Sequence, residues 1–176
     1  VKNPDGTYTD QTRTMYSTIH GPITISVQKQ PLFAWDSQYA YSIFDANANG
    51  LRFINHYFDA NRAESVADLV KILKTDQGVP WVNTIAADSK GNALYADISV
   101  VPNLTDARVE ECKASPGIHD VAWPAAKLAV LDGSKSSCEM QKAPGAAATG
   151  ILPPDQMPLQ IRKDFTSNMN DSYWLS

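Results

Sequence analysis

The chain has 176 residues, a formal net charge of −4 and 43% hydrophobic residues. This composition excludes an intrinsically disordered chain, which has fewer apolar residues and more net charge. It also excludes a collagen, which needs far more than nine glycines. The acidic balance argues against a general nucleic-acid binder, because such proteins use a basic excess to replace counterions on phosphates. No run of 18 apolar residues occurs, so the sequence predicts no transmembrane helix.

Alternating polarity and β-branched residues predict three strands near the beginning of the chain. The first covers residues 12–19, and the second covers residues 23–27 after a bend at 20–22. The third strand is predicted over residues 39–45.

Two helices are predicted next. The first follows the Asn-rich turn at 47–50, and its apolar face is formed by Leu51, Ile54 and Phe58. The second begins at Asn61, with Glu64 three residues later as in a capping box, and ends before Gly78 and Pro80. Its apolar positions at helical spacing are Val66, Leu69, Val70 and Leu73.

A β-hairpin follows the second helix. Residues 81–88 and 92–101 are its two strands, and the turn between them places Gly91 in a position suited to a left-handed backbone. Few charges interrupt either strand, so we expect both faces to be covered, as in layered α/β packing. One face carries Leu94, Ala96, Ile98 and Val100.

Residues 102–163 are rich in proline and have few periodic apolar runs, which predicts a loop-rich excursion with one short helix over 120–128. Its two cysteines, Cys112 and Cys138, are either two buried thiols or a disulfide. A disulfide would contribute roughly 3 kcal/mol in the chain-entropy model and would indicate an oxidising compartment. A zinc site is not favoured, because the chain has no CxxC and only His119 lies nearby. We expect no metal and no other cofactor.

The three histidines do not indicate catalysis. His20 precedes Gly-Pro and is interpreted as part of a structural bend, His56 as a surface or edge residue of a helix, and His119 as a solvated loop residue. The chain contains no Gly-x-Ser-x-Gly elbow, although residue types alone do not exclude a Ser–His–Asp triad.

Residues 168–172, Asn-Met-Asn-Asp-Ser, are an unusual polar run between aromatic residues. One interpretation is a turn with side-chain-to-backbone hydrogen bonds. The other is a polar insertion into a hydrophobic site, where an Asn amide donates a hydrogen bond to a developing oxyanion.

Three segments together carry a resemblance to a known family. They are Pro-Trp-Val-Asn-Thr at 80–84, Arg-Lys-Asp-Phe at 162–165, and the run Asn-Met-Asn-Asp-Ser-Tyr-Trp-Leu at 168–175. The sequence resembles the penicillin acylase family over nearly its whole length, in particular the branch of aculeacin and acyl-homoserine-lactone acylases.

The resemblance implies part of a four-layer αββα N-terminal-nucleophile hydrolase fold, within the α+β class. In that family a precursor cleaves itself into an α and a β chain, and the first β-chain residue is the nucleophile, with its own α-amine as the base. Val1 has no hydroxyl or thiol, so the chain is interpreted as an internal segment of the β chain without the nucleophile. Its partners would be the α chain, the remainder of the β chain and a small-molecule acyl amide. We expect the chain alone to be inactive.

The resemblance also assigns roles to individual residues. It implies that Asn170 is the oxyanion-hole donor, that Trp81, Val82 and Tyr57 line the acyl pocket, and that Asn83 supports the site. Without the resemblance, Trp81 and Val82 read as core residues of a strand. The cysteine pair matches one in this branch, which favours the Cys112–Cys138 disulfide and a periplasmic or secreted location.

We expect residues 1–176 to belong to one domain, divided into strands and two helices (1–101), a loop-rich excursion (102–163) and a return strand with the oxyanion motif (164–176). Two alternatives stay open: a non-catalytic binding or structural module on the same fold, and an unrelated secreted α+β binding domain. A Gly-Ser, Gly-Thr or Gly-Cys junction about one hundred residues upstream of Val1 would favour the enzyme.

Overall fold

A computed structural model describes residues 1–26, 33–114 and 117–170. The chain divides into two units, Val1–Asp45 and Ala46–Ser176. Helices and antiparallel strands occur together, which confirms the predicted α+β class.

The first unit contains one sheet of three short antiparallel strands, β1 (Ser17–Thr18), β2 (Gly21–Thr24) and β3 (Tyr41–Ser42). The order of the strands is as predicted, although they are shorter than predicted, and residue 27 of the second predicted strand lies outside the described residues. The bend lies at 19–20 rather than at 20–22, because Gly21 and Pro22 belong to β2. Gly21 belongs to β2 and has a φ of +130°. A Cβ there would collide with the carbonyl oxygen of Ile43, so the close pairing of β2 and β3 requires glycine.

The second unit begins with helix α1 (Arg52–Ala60) and helix α2 (Val66–Asp76). The predicted cap of the second helix was wrong by four residues. Ser65 is the N-cap: its Oγ accepts a hydrogen bond from the Asp68 backbone N–H at 3.1 Å and donates to Asp68 Oδ2 at 2.7 Å. The reciprocal pair is therefore Ser65 with Asp68 rather than the predicted Asn61 with Glu64.

Helix α2 packs against a second antiparallel sheet, in which β5 (Ala93–Ala96) lies between β4 (Thr84–Ala87) and β6 (Leu159–Arg162). The hairpin prediction is confirmed, and Gly91 takes the expected left-handed backbone with a φ of +76°. All four residues of β5 are buried, so both faces of this strand are covered as predicted. The prediction was wrong for β4, where Ile85 and Ala87 are exposed. The core between α2 and the sheet contains Val66, Leu73, Val79, Leu94, Ala96, Ile98 and Met157.

The region predicted as a loop-rich excursion contains two helices, α3 (Asp106–Cys112) and α4 (Ile118–Ala126). Only the second was predicted. Helix α3 spans seven residues, which is too short for an apolar repeat to identify it. The strand that completes the sheet, β6, also falls before the predicted return strand. Residues 164–170 are neither helix nor strand, and residues 171–176 lie outside the described part of the chain.

Cys112 and Cys138 form a disulfide, with their Cα atoms 5.6 Å apart. The bond connects the last residue of α3 to the 3₁₀ turn Ser136–Cys138, and both cysteines are buried. The interpretation as two free thiols is therefore wrong. Within the described ranges, no helix combines the length and the apolar content needed to cross a membrane.

Candidate functional site

Residues 80–83 contain three of the predicted site residues on a stretch without helix or strand, directly before β4. Trp81 is 76% exposed and Val82 is 47% exposed. Neither is a core residue of these 176 residues, so the interpretation as strand core does not hold. The two apolar side chains are available to contact a ligand or another part of a protein.

Hydrogen bonds hold both ends of this stretch. Asn47 Nδ2 donates to the carbonyl oxygen of Pro80 at 3.1 Å. At the other end, the hydroxyl of Tyr95 donates to Asn83 Oδ1 at 3.0 Å. Asn83 therefore supports the local structure through Tyr95, a residue that the sequence analysis did not single out.

The register of the hairpin could have identified Tyr95. Ile85 pairs with Tyr95 across β4 and β5, so Asn83 is a diagonal neighbour of Tyr95 on the same face. Diagonal neighbours are within reach of a long aromatic side chain.

Tyr57 lies on helix α1, where its side chain is half exposed. Its ring makes an edge contact with the His56 ring, with the centroids 5.2 Å apart. Tyr57 belongs to a group of large, exposed apolar side chains on this helix, which we call the α1 apolar face: Leu51, Phe53, Ile54, Tyr57 and Phe58.

The opposite side of α1 packs against Gly78. A Cβ at Gly78 would lie 2.5 Å from the Arg52 carbonyl oxygen and 2.6 Å from His56 Cβ, so the close approach of α1 requires glycine at this position. His56 is consequently buried, which makes its interpretation as a surface residue wrong. Burial lowers the pKa of His56, and the nearby carboxylates of Asp76 and Asp59 oppose this effect.

Asn170 has a left-handed backbone with a φ of +63°. Its backbone N–H donates to Asn168 Oδ1 at 2.9 Å, which is the side-chain-to-backbone hydrogen bond expected of a polar turn. Asparagine tolerates this conformation better than most residues. The turn interpretation is therefore correct for residues 168–170, and it is compatible with an exposed Asn170 amide.

The segment between β6 and Asn170 turns back beside the strand. Phe165, Thr166 and Ser167 line an open pocket together with Gln160 and Arg162 of β6. Arg162 forms two hydrogen bonds with the Asp164 carboxylate, at 2.6 and 2.5 Å, and this contact lowers the pKa of Asp164.

One stretch of the chain contains Trp81, Val82 and Asn83, whereas Asn170 lies on the segment that follows β6. Thr84, the first residue of β4, pairs with Ala96, whereas Arg162, the last residue of β6, pairs with Ala93. The two segments therefore leave the sheet at opposite ends. Among the described residues, no hydrogen bond connects Asn170 to residues 80–83.

Acidic, cysteine and histidine side chains do not assemble into a metal centre in the described ranges, where no group of three or more such residues could hold an ion. His119 contacts other parts of the chain. It is buried rather than solvated, its Nδ1 accepts a hydrogen bond from the Val130 backbone at 3.1 Å, and its ring stacks on Trp123.

Residues 1–175 match the family described as penicillin amidase. The chain therefore belongs to the penicillin amidase family.

Three relatives illustrate the similarity. The chain is 41% identical over 174 residues to the acyl-homoserine lactone acylase PvdQ of Pseudomonas fluorescens (strain Pf-5), covering 99% of this chain and 21% of the relative. It is 39% identical over 175 residues to the acyl-homoserine lactone acylase PvdQ of Pseudomonas savastanoi pv. phaseolicola, with 99% and 21% covered. It is 39% identical over 164 residues to the aculeacin-A acylase of Actinoplanes utahensis, with 93% and 20% covered. The chain thus spans about a fifth of the length of these curated relatives.

Proposed function

We propose that these residues are an internal part of the catalytic β chain of an amide hydrolase, within a four-layer αββα fold. The observation that carries the proposal is the family match over residues 1–175, together with acylase relatives 38–41% identical to the chain. We place the nucleophile in a part of the parent protein that these 176 residues do not include.

The proposed substrates are N-acylated small molecules: acyl-homoserine lactones, lipopeptides or β-lactams. The names of the relatives, acyl-homoserine lactone acylase and aculeacin-A acylase, support acyl amides as the substrate class. The exposed apolar side chains of Trp81, Val82 and Tyr57 are suited to contact an acyl chain, because ligand pockets are lined mainly by hydrophobic and aromatic groups.

In the proposed reaction, the nucleophile attacks the amide carbonyl carbon and negative charge develops on the carbonyl oxygen. The side-chain amide of Asn170 donates a hydrogen bond to this oxygen and stabilises the transition state. The left-handed turn at Asn170 supports this role, because it fixes the backbone from which the amide projects.

Replacing Asn170 by alanine in the parent protein tests this role. We expect Asn170→Ala to lower kcat by about 10²- to 10³-fold, the usual effect of removing one oxyanion-hole donor. The measurement is steady-state hydrolysis of a long-chain N-acyl amide, with the exposed Asn61→Ala as the matched control. A kcat that does not change in Asn170→Ala would reject the assignment.

Intact mass and N-terminal sequencing of the full gene product test the enzyme class itself. Two chains, the larger one beginning with Ser, Thr or Cys, are expected from autoprocessing. A single uncleaved chain without hydrolytic activity would replace the proposal by the non-catalytic module on the same fold.

We also propose a periplasmic or secreted location, since the buried Cys112–Cys138 disulfide requires an oxidising compartment to form and persist. Cell fractionation followed by thiol alkylation of the parent protein tests this. Recovery of the protein in the cytosol with both cysteines alkylated would contradict it.

A further inference from the structure

The stretch formed by residues 80–83 presents an unusual combination of features. It carries one of the most exposed aromatic side chains of the second unit, Trp81, yet it has no helix or strand to stabilise its backbone. Val79 directly before it is buried, and its carbonyl oxygen accepts a hydrogen bond from the Val100 backbone N–H at 2.8 Å. The stretch therefore begins at a fixed point of the core.

Two side chains form hydrogen bonds with the rest of the 80–83 stretch. Asn47 Nδ2 holds the Pro80 carbonyl, and the Tyr95 hydroxyl holds the Asn83 side chain. Tyr95 lies on the central strand β5 and is 3% exposed, so its ring is fixed by the core while its hydroxyl reaches Asn83. The hydroxyl consequently connects a rigid strand to the irregular stretch that carries Trp81 and Val82.

We propose that Tyr95 is a positioning residue for acyl-chain binding, which acts through Asn83 on the placement of Trp81 and Val82. The inference rests on the proposed function, in which these two side chains contact the acyl chain. Trp81 and Val82 contribute to binding in proportion to the apolar area that they bury against the acyl chain. A stretch whose backbone is held at both ends also loses less conformational entropy when the ligand binds.

Tyr95→Phe in the full, processed parent protein removes the hydroxyl and leaves the buried ring in place. We expect KM for a long-chain N-acyl amide to rise roughly three- to tenfold, as for loss of one neutral hydrogen bond, with kcat within about twofold. An N-acetyl amide of the same amine has no chain to contact the indole, so its KM should not change. The matched control is Tyr8→Phe, at an exposed tyrosine of the first unit.

A double-mutant cycle with Trp81→Ala separates positioning from a general loss of stability. If Tyr95 acts through the 80–83 stretch, Tyr95→Phe has little further effect on kcat/KM once the indole is absent, so the two changes are not additive. Additive effects, or an equal rise in KM for both substrates, would overturn the inference.

Hydrogen exchange gives a readout that does not depend on hydrolysis. Tyr95→Phe should accelerate amide exchange in a peptide that covers Trp81–Thr84, while the turn at 88–91 exchanges as before. Unchanged exchange at 81–84 would overturn the positioning role, even if the enzyme is active. A parent protein in which Trp81→Ala has no effect on KM would instead overturn the proposed pocket, and the inference with it.

Discussion

Gln77 connects three parts of the second unit through one buried residue. It is fully buried with a left-handed φ of +41°, and its carbonyl oxygen accepts a hydrogen bond from Arg52 Nε at 3.3 Å. Its side-chain Oε1 accepts from the Ala147 backbone at 2.7 Å, and its Nε2 donates to the Leu152 carbonyl at 2.9 Å. The end of α2 is thereby joined to α1 and to the segment after the disulfide.

Gln77→Ala should be strongly destabilising. The substitution removes two hydrogen bonds to partly buried backbone groups, which costs about 1–3 kcal/mol in the free energy of unfolding. The measurement is chemical or thermal unfolding of the parent protein, compared with Gln141→Ala, whose exposed side chain bonds the nearby Glu139 carbonyl. Gln141→Ala should change stability by less than about 0.5 kcal/mol. Equal effects at both positions would show that the connections of Gln77 are not important.

The histidines show why single residues are hard to place from sequence. His56 and His119 were predicted to be exposed, and both are buried. The burial of His56 depends on Gly78, 22 positions later, and that of His119 on the stack with Trp123 and the hydrogen bond from Val130. The contact with Gly78 and the hydrogen bond from Val130 are tertiary and leave no local pattern, whereas the stack of His119 on Trp123 lies within α4. One of the two interpretations of residues 168–172 placed Asn170 in a turn, because short polar side chains bond their own backbone.

At the scale of elements, Asp88 joins helix α2 to the hairpin. Its Oδ2 accepts hydrogen bonds from the Val66 backbone N–H at 3.2 Å and from Asn92 Nδ2 at 2.8 Å. Its Oδ1 accepts from the backbone N–H groups of Lys90 and Asn92, both at 3.0 Å. These bonds, that of the Asn92 side chain first, lower the pKa of Asp88 from 3.8 to about 2.

The pH dependence of stability follows from this lowered pKa. The carboxylate stabilises the folded state above the ordinary pKa of 3.8, and this contribution is lost as the pH falls through about 2. We expect Asp88→Asn to lower the melting temperature of the parent protein at neutral pH, with a difference that shrinks as the pH decreases from about 4 to about 2. The control is Asp10→Asn, at an exposed position. A difference that stays constant over this range would contradict the assignment.

Elements with a strong local signal were predictable, and elements without one were not. Helix α2 and the hairpin with Gly91 combine regular apolar spacing with a defined turn residue. Helix α3 has few residues, and β6 pairs with β5 over a separation of more than sixty residues, so neither carries a local signal.

At the scale of the whole molecule, the α1 apolar face is a hydrophobic surface that remains exposed. The sequence predicts the helix and its apolar stripe correctly, but the structure leaves Leu51, Ile54 and Phe58 largely exposed. A hydrophobic pattern indicates which residues will be covered. It does not identify the part of the protein that covers them. Since the chain spans about a fifth of its relatives' length, we propose that the remainder of the parent protein covers Leu51, Ile54 and Phe58.

The chain produced by itself should therefore bind a hydrophobic dye and lack activity. We expect purified residues 1–176 to bind 8-anilinonaphthalene-1-sulfonate more strongly, per mole, than the parent protein, because the α1 apolar face and Trp81 are exposed. The same preparation should not hydrolyse a long-chain N-acyl amide. Turnover by the isolated chain at a rate near that of the parent would refute the prediction of inactivity.

The disulfide also determines what limited proteolysis would reveal. Lys127 and Lys135 are exposed and lie between Cys112 and Cys138, so trypsin can reach the chain inside the covalent loop. A cut there leaves both products connected through sulfur, and they migrate together until a reductant separates them. A nicked protein would therefore look intact on a non-reducing gel, and the loop between the two cysteines, which are 26 positions apart, would tolerate backbone cleavage without losing either part.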